Sequence, residues 1–372
     1  MLQFRLAKRI VNGGDVLTLY LLGPGVGESA VVVMPDARVI VVDSCTRGDV
    51  NLPAQVLTRL GVTAIDLLVV THPDLDHVKG LAALVDRFPP RRVWRYPFAL
   101  LRDILQKVGR LRTVAGRLRY QEALAAAVAL DRVLDSTGTV ERVHYGIPWA
   151  PSPSYTVHAL APTNYDEKRA TDLVNGLIER RDGRSTLTAR GRQWLDGERP
   201  LGDLPNMVSI GVVIEWGARR VILGGDIENG DGHPQSGWRG VLALLDQPDD
   251  HRRHLVDNVD LVKVAHHGSL GAFFEGAWRR HATAGKTVGV LTTYAPTPLP
   301  RESTLRSLRP WVRRLGITTD AGGSFDRAHA AGWAVADADA PATLGDEPCL
   351  KAEIAADGTV TFDRGTEAGW FQ

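Results

Sequence analysis

Four side chains that can bind a metal ion occur within six residues of this chain. They are His72, Asp74, Asp76 and His77. Imidazole nitrogens and carboxylate oxygens are the ligands that zinc and manganese accept in proteins. Acids gathered this closely repel each other unless a cation offsets their charge. The segment therefore predicts a metal site.

The residues around this segment indicate a loop between a strand and a helix. Residues 65–70 form a short apolar run that predicts a buried strand, and Pro73 interrupts regular structure after it. The apolar positions of residues 78–85 then resume helical spacing. An alternative is that Asp76 and His77 only cap this helix. Matching residues farther along the chain favour the metal site.

Two later strands are also predicted to end in metal-capable residues. Residues 220–223 lead to Asp226, and residues 261–265 lead to His266 and His267. Turns beyond strand ends are where an α/β scaffold gathers such groups. We therefore expect all three segments to meet in one site.

The composition is that of an ordinary globular protein. Of 372 residues, 44% are hydrophobic and 23% are charged, and the net charge is +1, so neither disorder nor an anionic partner is indicated. Cys45 and Cys349 lie far apart without a CxxC pattern, which predicts no disulfide framework and no thiolate zinc site. Residues 1–9 lack the features of a signal peptide, and no apolar run reaches membrane-spanning length. A cytoplasmic location without a membrane partner is expected.

The pattern along the chain predicts strands and helices in both halves. The glycine-rich residues 23–27 fit no phosphate-binding motif and predict a tight hairpin between the first two strands. For Asp43, at the end of the third strand, a structural role is favoured over contact with the metal loop. The predicted strands are residues 15–22, 30–34, 39–42, 93–96, 155–160, 208–216, 220–223, 261–265 and 287–293, the predicted helices are residues 53–60, 172–181, 186–194, 273–281 and 302–315, and a final hairpin turns at residues 357–358.

This order of elements predicts two similar β/α layers around a shared core. Residues 1–372 are predicted to form a single domain, with a basic helical segment at about 97–135 and a polar insertion at about 163–205. From Arg91 to Arg119 there are nine cations against the single acid Asp103. Such a patch attracts phosphates, although a solvated face is an equally good interpretation.

The chain resembles the metallo-β-lactamase fold superfamily, whose signature HxHxDH is matched by residues 72–77. Within it, the motifs are most similar to the hydrolase domain of competence-type DNA-uptake proteins, where THxDxDHxGG, a strand ending in GD, and HHGS occur in this order. Residues 71–80, 225–226 and 266–269 match those three motifs. The resemblance covers roughly residues 15–315 and also includes residues 25–29 and the NxxS segment of Asn206 and Ser209. It implies an α/β fold, a four-layer αββα sandwich of the metallo-β-lactamase type.

The resemblance also implies two divalent metal ions, zinc or manganese. One ion would be held by His72 and Asp74, and the other by Asp76, His77 and His266, with Asp226 as the bridge. The paired ions would activate a shared water for hydrolysis without a protein nucleophile. The implied catalytic residues are Asp76, His267 and Lys79, and Lys263 is another candidate cation. Support of the metal ligands is an alternative role for His267. The candidate substrate contacts are Arg91, Arg92, Arg95, Asn206, Ser209 and Ser269.

Several residues depart from the pattern of the subgroup. Lys79 stands where glycine is usual, and residues 297–301 lack the expected His-Pro pair. Asp74 replaces the second histidine of the superfamily, and the third motif has no histidine. Occupancy of both metal positions is therefore left open.

The function that the motifs and the basic patch favour is metal-dependent hydrolysis of a phosphodiester, most of all in DNA, otherwise in RNA or a small nucleotide. Hydrolysis of a thioester or a lactone is the nearest alternative. A second alternative is a nucleotide- or nucleic-acid-binding regulator with a weakened site. The oligomeric state is left open, with a homodimer as one option.

Overall fold

The computed structural model describes residues 15–96, 133, 138–181, 184–195, 204–229, 232–282, 286–336 and 342–372. The predicted basic helical segment at 97–135 lies outside these residues except for Val133. In the described ranges the strands are β1 (Val16–Leu22), β2 (Ser29–Val33), β3 (Val39–Val42), β4 (Thr46–Arg47), β5 (Val50–Asn51), β6 (Leu67–Val70), β7 (Arg92–Arg95), β8 (Thr139–Arg142), β9 (Pro148–Ser152), β10 (Tyr155–Ala159), β11 (Ile178–Arg181), β12 (Arg184–Leu187), β13 (Val212–Trp216), β14 (Arg219–Leu223), β15 (Leu261–Lys263), β16 (Val288–Leu291), β17 (Arg314–Ile317), β18 (Cys349–Ala355), β19 (Val360–Arg364) and β20 (Gly369–Phe371).

Helices connect and cover these strands. The α-helices are α1 (Leu52–Arg59), α2 (Leu75–Val78), α3 (Leu81–Arg87), α4 (Asn164–Asn175), α5 (Ala189–Leu195), α6 (Leu204–Met207), α7 (Gly237–Leu245), α8 (Glu275–His281), α9 (Glu302–Leu308) and α10 (Ser324–Ala330), and short 3-10 helices span Arg253–Val256, His266–Gly268 and Leu270–Ala272.

Sixteen of the twenty described strands form two large sheets of eight strands each, and β4 with β5 and β11 with β12 form two-stranded sheets. The first has the spatial order β19, β18, β1, β2, β3, β6, β7, β8, and the second has the order β20, β17, β16, β15, β14, β13, β10, β9. In the first sheet β3, β6, β7 and β8 run parallel. In the second sheet β14, β15, β16 and β17 run parallel. Each sheet therefore brings the carboxyl ends of several strands to one edge.

Continuous apolar runs explain why these parallel strands are central. All four residues of β3, β6 and β16 are buried, as expected for strands covered on both faces. One apolar core joins side chains of both sheets to those of α1 and α3. A second core packs the other face of the second sheet against α7 to α10. The result is the predicted αββα order of layers.

Most predicted elements are confirmed, including the hairpin between β1 and β2 and the helix α1. Two are wrong in part. The predicted helix at 172–181 ends at Asn175, and Ile178–Arg181 is a strand instead. The predicted helix at 302–315 ends at Leu308, and the chain returns as the buried strand Arg314–Ile317. In both places a short run fits helical and strand patterns alike, so tertiary packing decides the structure.

Candidate metal centre

The three segments with metal-capable residues follow the ends of strands in both sheets. His72 follows β6 of the first sheet, whereas Asp226 and His266 follow β14 and β15 of the second. The backbone N–H of His266 donates to the carbonyl of Gly225, which ties the last two segments together. The N–H of Ile210 donates to the carbonyl of Thr71 and links them to the first segment. The candidate site therefore lies between the two sheets.

Unusual backbone conformations shape these loops. Asp43, His266 and His267 have φ values of 58°, 47° and 50°, in the left-handed region that residues other than glycine rarely adopt. Each costs on the order of 1 kcal/mol or more and persists only where the surroundings enforce it. At this strand end and at these two adjacent histidines, the surroundings impose an unfavourable backbone conformation that sets the direction of the side chains.

Lys79 and Gly80 show which glycine of the THxDxDHxGG pattern the backbone requires. Lys79 has a φ of −63°, which any residue adopts, so a lysine fits there. Gly80 has a φ of +82°, and a Cβ atom on it would lie 2.7 Å from side-chain atoms of Asn51 and Thr46. Glycine is therefore required at position 80 and not at position 79.

One group of ligand atoms forms around His72. Its Nε2 lies 3.7 Å from Asp74 Oδ2 and 3.8 Å from Asp226 Oδ2. Asp74 stands at the first position before α2, but its side chain makes no capping hydrogen bond. Its carboxylate is turned toward His72 instead of the helix end, as a metal ligand would be.

A second group forms around His77. Its Nε2 lies 3.8 Å from Asp76 Oδ2 and 3.5 Å from Asp226 Oδ2. His267 joins this group, with Nε2 3.4 Å from Asp76 Oδ2. His266 Nε2 lies 3.8 Å from Asp226 Oδ2. Asp226 Oδ2 thus faces both groups, in the place expected for a bridge.

The inward-facing atoms of this cluster fit divalent ions. Within the described residues, the buried Nε2 atoms of His72, His77 and His267 have no hydrogen-bond partner. Buried polar atoms without partners are rare because each costs about 1–3 kcal/mol. Three such nitrogens beside the carboxylates of Asp76 and Asp226 are explained by cations as their partners.

The opposite nitrogen of each histidine is held by the protein. His72 Nδ1 lies 3.0 Å from Thr71 Oγ1 and 3.3 Å from Ser209 Oγ. His77 Nδ1 lies 2.7 Å from Asp43 Oδ2. The Nδ1 atoms of His266 and His267 lie 2.7 Å from Glu228 Oε1 and 2.8 Å from Thr292 Oγ1 respectively. Such bonds fix the ring orientation and present Nε2 to a metal ion.

Asp43 corrects one prediction. The structural role favoured for it is wrong, because its carboxylate accepts hydrogen bonds from the N–H and the hydroxyl of Thr71 at 2.8 and 2.6 Å and holds His77 as well. The signal was its position at the end of β3, which runs parallel to β6. Glu28 was included in the motif of residues 25–29 without a role, and Glu228 and Thr292 were missed entirely, although Thr292 also follows a parallel strand.

Burial and mutual charge shift the pKa values in the cluster. Burial lowers the pKa of His72 well below its ordinary value, and the nearby His77 adds to this. For His77, burial alone would lower the pKa, but the carboxylates of Asp226 and its neighbours raise it well above the ordinary value. Burial, followed by the charge of Asp76, raises the pKa of Asp74 to about 7. A bound cation would replace the protons that these groups otherwise share.

The remaining predicted site residues fall into three places. Asn206, Ser209 and Ser269 lie around the ligands: Asn206 Nδ2 donates to Glu228 Oε1 at 3.3 Å, Ser209 Oγ accepts from the N–H of Asp226 at 2.9 Å, and Ser269 Oγ lies 3.2 Å from His266 Nδ1. Lys79 is exposed at the end of α2. These four residues are close to the cluster in sequence or in contact with it.

The three arginines of the predicted basic patch that fall in the described ranges are not gathered at the cluster. Arg91 pairs with Asp66 at 2.8 Å and Arg92 with Glu141 at 2.6 Å, near the amino ends of β6 and β7. Arg95 pairs in register with Val70, near the site, but it is only 8% exposed. Arg91 and Arg92 therefore lie at the opposite end of these strands from His72.

These features define an α/β sandwich whose candidate metal ligands come from loops of both sheets. A family model of the metallo-beta-lactamase superfamily matches residues 22–275, so this chain belongs to that superfamily, a family of metal-dependent hydrolases. The described residues include one compact buried group that could hold a metal ion, formed by Glu28, His77, Asp226 and His267.

Several solved structures are similar to this chain at low sequence identity. Zn(2+)-bound PqqB from Methylobacterium extorquens is 14% identical, with 66% of this chain and 71% of that chain covered and a TM-score of 0.31. A metallo-β-lactamase from Cronobacter sakazakii is 14% identical, with 63% and 70% covered and a TM-score of 0.31. CmlA, a diiron β-hydroxylase from Streptomyces venezuelae, is 14% identical, with 68% and 34% covered and a TM-score of 0.29. The search of curated proteins gave no match, and the family assignment rests on the family model.

Among the residues that the structure describes, no helix combines the length and the apolar character that crossing a bilayer requires.

Proposed function

We propose that this protein is a metal-dependent phosphodiesterase that acts on nucleic acid, with DNA as the first candidate and RNA or a small nucleotide as the next. The observation that carries this proposal is the composition of the ligand cluster. Asp74, Asp76 and Asp226 supply carboxylate oxygens beside the imidazoles of both sheets. Sites that mix carboxylates with imidazoles accept zinc or manganese, and either ion can also bind and polarise a phosphoryl oxygen.

Residues of this chain then have distinct tasks. When bound, two divalent ions supply Lewis-acid activation of a water and of a phosphoryl oxygen. His267 and Lys263 are 1% and 3% exposed, so neither can reach a substrate at the mouth of the site. Lys79 is exposed and lies two residues after His77. Of His267, Lys263 and Lys79, only Lys79 is therefore a candidate to donate a proton to the leaving oxygen or to stabilise negative charge there.

A pair of arginines beside the HHGS loop supports an anionic substrate. The N–H of Arg301 donates to the carbonyl of Gly268 at 3.2 Å, and Arg327 Nε donates to the carbonyl of Pro300 at 2.8 Å. Burial lowers the pKa of Arg327, and the positive charge of Arg301 lowers it further. The negative charges of Asp320 and Asp326 raise it in part. A phosphate bound beside these two guanidinium groups would offset their mutual repulsion.

The three motifs shared with the hydrolase domain of competence-type DNA-uptake proteins support the choice of nucleic acid. The residues from Arg102 to Arg119 lie outside the described residues. Their contribution to a basic patch that attracts phosphates remains a prediction from the sequence. The cytoplasmic location and the homodimer also stay predictions.

An activity screen with defined metal content tests the proposal. Purified protein is stripped of metal, reloaded with zinc or manganese, and assayed on single- and double-stranded DNA, RNA and cyclic nucleotides. We expect cleavage that requires metal and that disappears in Asp76→Ala and His77→Ala. Metal-free protein that binds nucleic acid equally well with and without these two substitutions would instead favour a binding regulator.

The nearest rival is hydrolysis of a thioester or a lactone, and one observation favours it. Val26 and Leu270 are 46% and 61% exposed, and they lie close in sequence to Glu28 and His267. Exposed apolar side chains beside a site suit a substrate with an apolar part. Turnover of thioesters or lactones by the metal-loaded protein, without cleavage of any phosphodiester in the same screen, would decide for the rival.

A further inference from the structure

A buried ion pair lies behind the metal ligands and joins the two sheets. Lys263 ends β15 of the second sheet, and Glu28 lies in the connection between β1 and β2 of the first. Lys263 Nζ contacts Glu28 Oε1, and the two side chains are 3% and 6% exposed. A buried pair of this kind seldom adds net stability, because both charges lose their hydration. Its position next to the ligand cluster suggests another purpose.

The ammonium group of Lys263 fixes one side of Asp226. Besides Glu28, Nζ donates to the carbonyl of Gly225 at 3.1 Å and lies 3.9 Å from Asp226 Oδ1. Two oxygens accept hydrogen bonds from Nζ, and Asp226 Oδ1 lies farther away, beyond hydrogen-bond distance. Asp226 Oδ1 therefore faces the lysine side chain and not the imidazoles. Asp226 Oδ2 is left to face the imidazoles of both ligand groups.

Glu28 also lies beside the outer nitrogens of two histidines of the cluster. Its Oε1 lies 3.8 Å from His77 Nδ1, and its Oε2 lies 3.4 Å from His267 Nδ1. The hydroxyl of Thr292 donates to Oε2 at 2.5 Å and holds the carboxylate in place. Glu28 thus stands between the lysine and the outer nitrogens of the ligands that come from both sheets.

We infer that Lys263, held by Glu28, is a built-in cation of the metal centre that orients the Asp226 carboxylate, so that Oδ2 faces the imidazoles of both ligand groups and Oδ1 is turned away from them. Both residues act through the ligands and are positioning residues, since neither reaches the substrate. The inference rests on the proposed metal centre and not on the choice of substrate. A pair that only clamps the sheets together would affect folding but not the way in which the ions are bound.

Removing the pair as a unit tests this inference. The double variant Glu28→Gln with Lys263→Met keeps the side-chain sizes and the net charge. Metal content is measured by elemental analysis, affinity by titration with manganese, and ligand geometry by the absorption spectrum of cobalt-loaded protein. We expect a loss of affinity of about 10- to 100-fold and a changed cobalt spectrum. The double variant Lys351→Met with Glu353→Gln, an ion pair at 2.8 Å on β18, is the control and should bind metal like the wild type.

A folded double variant that binds two ions with unchanged affinity and an unchanged cobalt spectrum would overturn the inference. Where circular dichroism shows that it does not fold, Glu28→Gln alone carries the test. In that variant Lys263 loses its partner and turns toward Asp226, so the same weakening is expected, and unchanged binding overturns the inference. Substrate is absent throughout, so a failure to cleave phosphodiesters would contradict the proposed function alone.

Discussion

Asp226 is the residue on which the ligands of both sheets converge. Its Oδ2 lies within 3.8 Å of His72, His77 and His266. We expect Asp226→Asn, which keeps the shape but removes the charge, to lower metal affinity by about 100-fold or more and to abolish turnover. Elemental analysis and the phosphodiester assay measure both effects. The exposed Asp49→Asn is the matched control, and two tightly bound ions in Asp226→Asn would contradict the assignment.

The two adjacent histidines can be separated by the same measurement. The resemblance assigns His266 to the second ion, whereas His267 Nε2 lies 3.4 Å from Asp76 Oδ2 and makes no hydrogen bond within the described residues. We therefore expect His267→Gln to reduce the metal content from two ions to one. His158→Gln, on β10 away from the cluster, should keep both ions. Loss of the second ion in His266→Gln but not in His267→Gln would show that the resemblance was the better guide.

That the candidate ligand residues lie together could be predicted from the sequence, because their types are unusual and each group is local in sequence. Seven predicted residues, at positions 72, 74, 76, 77, 226, 266 and 267, lie together in the structure. The groups that orient them were harder to find. Glu28 lies in the motif of residues 25–29, which gave it no role, and Glu228 is a single acid without a motif. Only the packing of the two sheets brings them to the outer nitrogens of the histidines.

At the scale of single elements, α8 carries a histidine that should make stability depend on pH. His281 is 1% exposed, and its ring lies 5.3 Å from that of Trp238. Burial lowers its pKa from 6.5 to about 4. Between about pH 6.5 and pH 4, the unfolded state therefore binds a proton at His281 more readily than the folded state. The contribution of the neutral histidine to stability is complete above about pH 6.5 and is lost as the pH falls toward 4.

This loss amounts to roughly 3 kcal/mol over that interval. We expect the free energy of unfolding in urea, measured at pH 7, 5.5 and 4 in the presence of a chelator, to fall more steeply for the wild type than for His281→Gln. The comparison between the two proteins removes the contribution of other titrating groups. Parallel curves would show that His281 is protonated as easily in the folded state as in the unfolded state.

Strand positions were easier to predict than the ends of helices. The runs that became β3, β6 and β16 are short, apolar and bounded by turn residues, so local pattern was sufficient. The helix predicted at 302–315 stops at Leu308 because residues 314–317 are needed as a buried strand beside β16. Such a choice depends on neighbours that are distant in sequence, and no local pattern contains it.

On the scale of the whole molecule, bound metal should act as a cross-link between the two sheets. The ligands at positions 72–77 belong to loops of the first sheet, and Asp226, His266 and His267 belong to loops of the second. Without cations, the carboxylates of Asp74, Asp76 and Asp226 lie close together, and part of the gain from folding is lost to their repulsion. An ion that binds the folded but not the unfolded chain stabilises it by mass action.

We therefore expect chelation to lower the unfolding temperature and manganese or zinc to restore it in a concentration-dependent way. At a free metal concentration of 100 times the dissociation constant, each independent site contributes about 2.7 kcal/mol. Differential scanning calorimetry over a series of metal concentrations measures the effect, with Asp226→Asn as the control in which the shift should nearly vanish. An unfolding temperature that is the same with chelator and with excess metal would mean that no ion links the sheets, and the proposed hydrolytic centre would lose its physical basis.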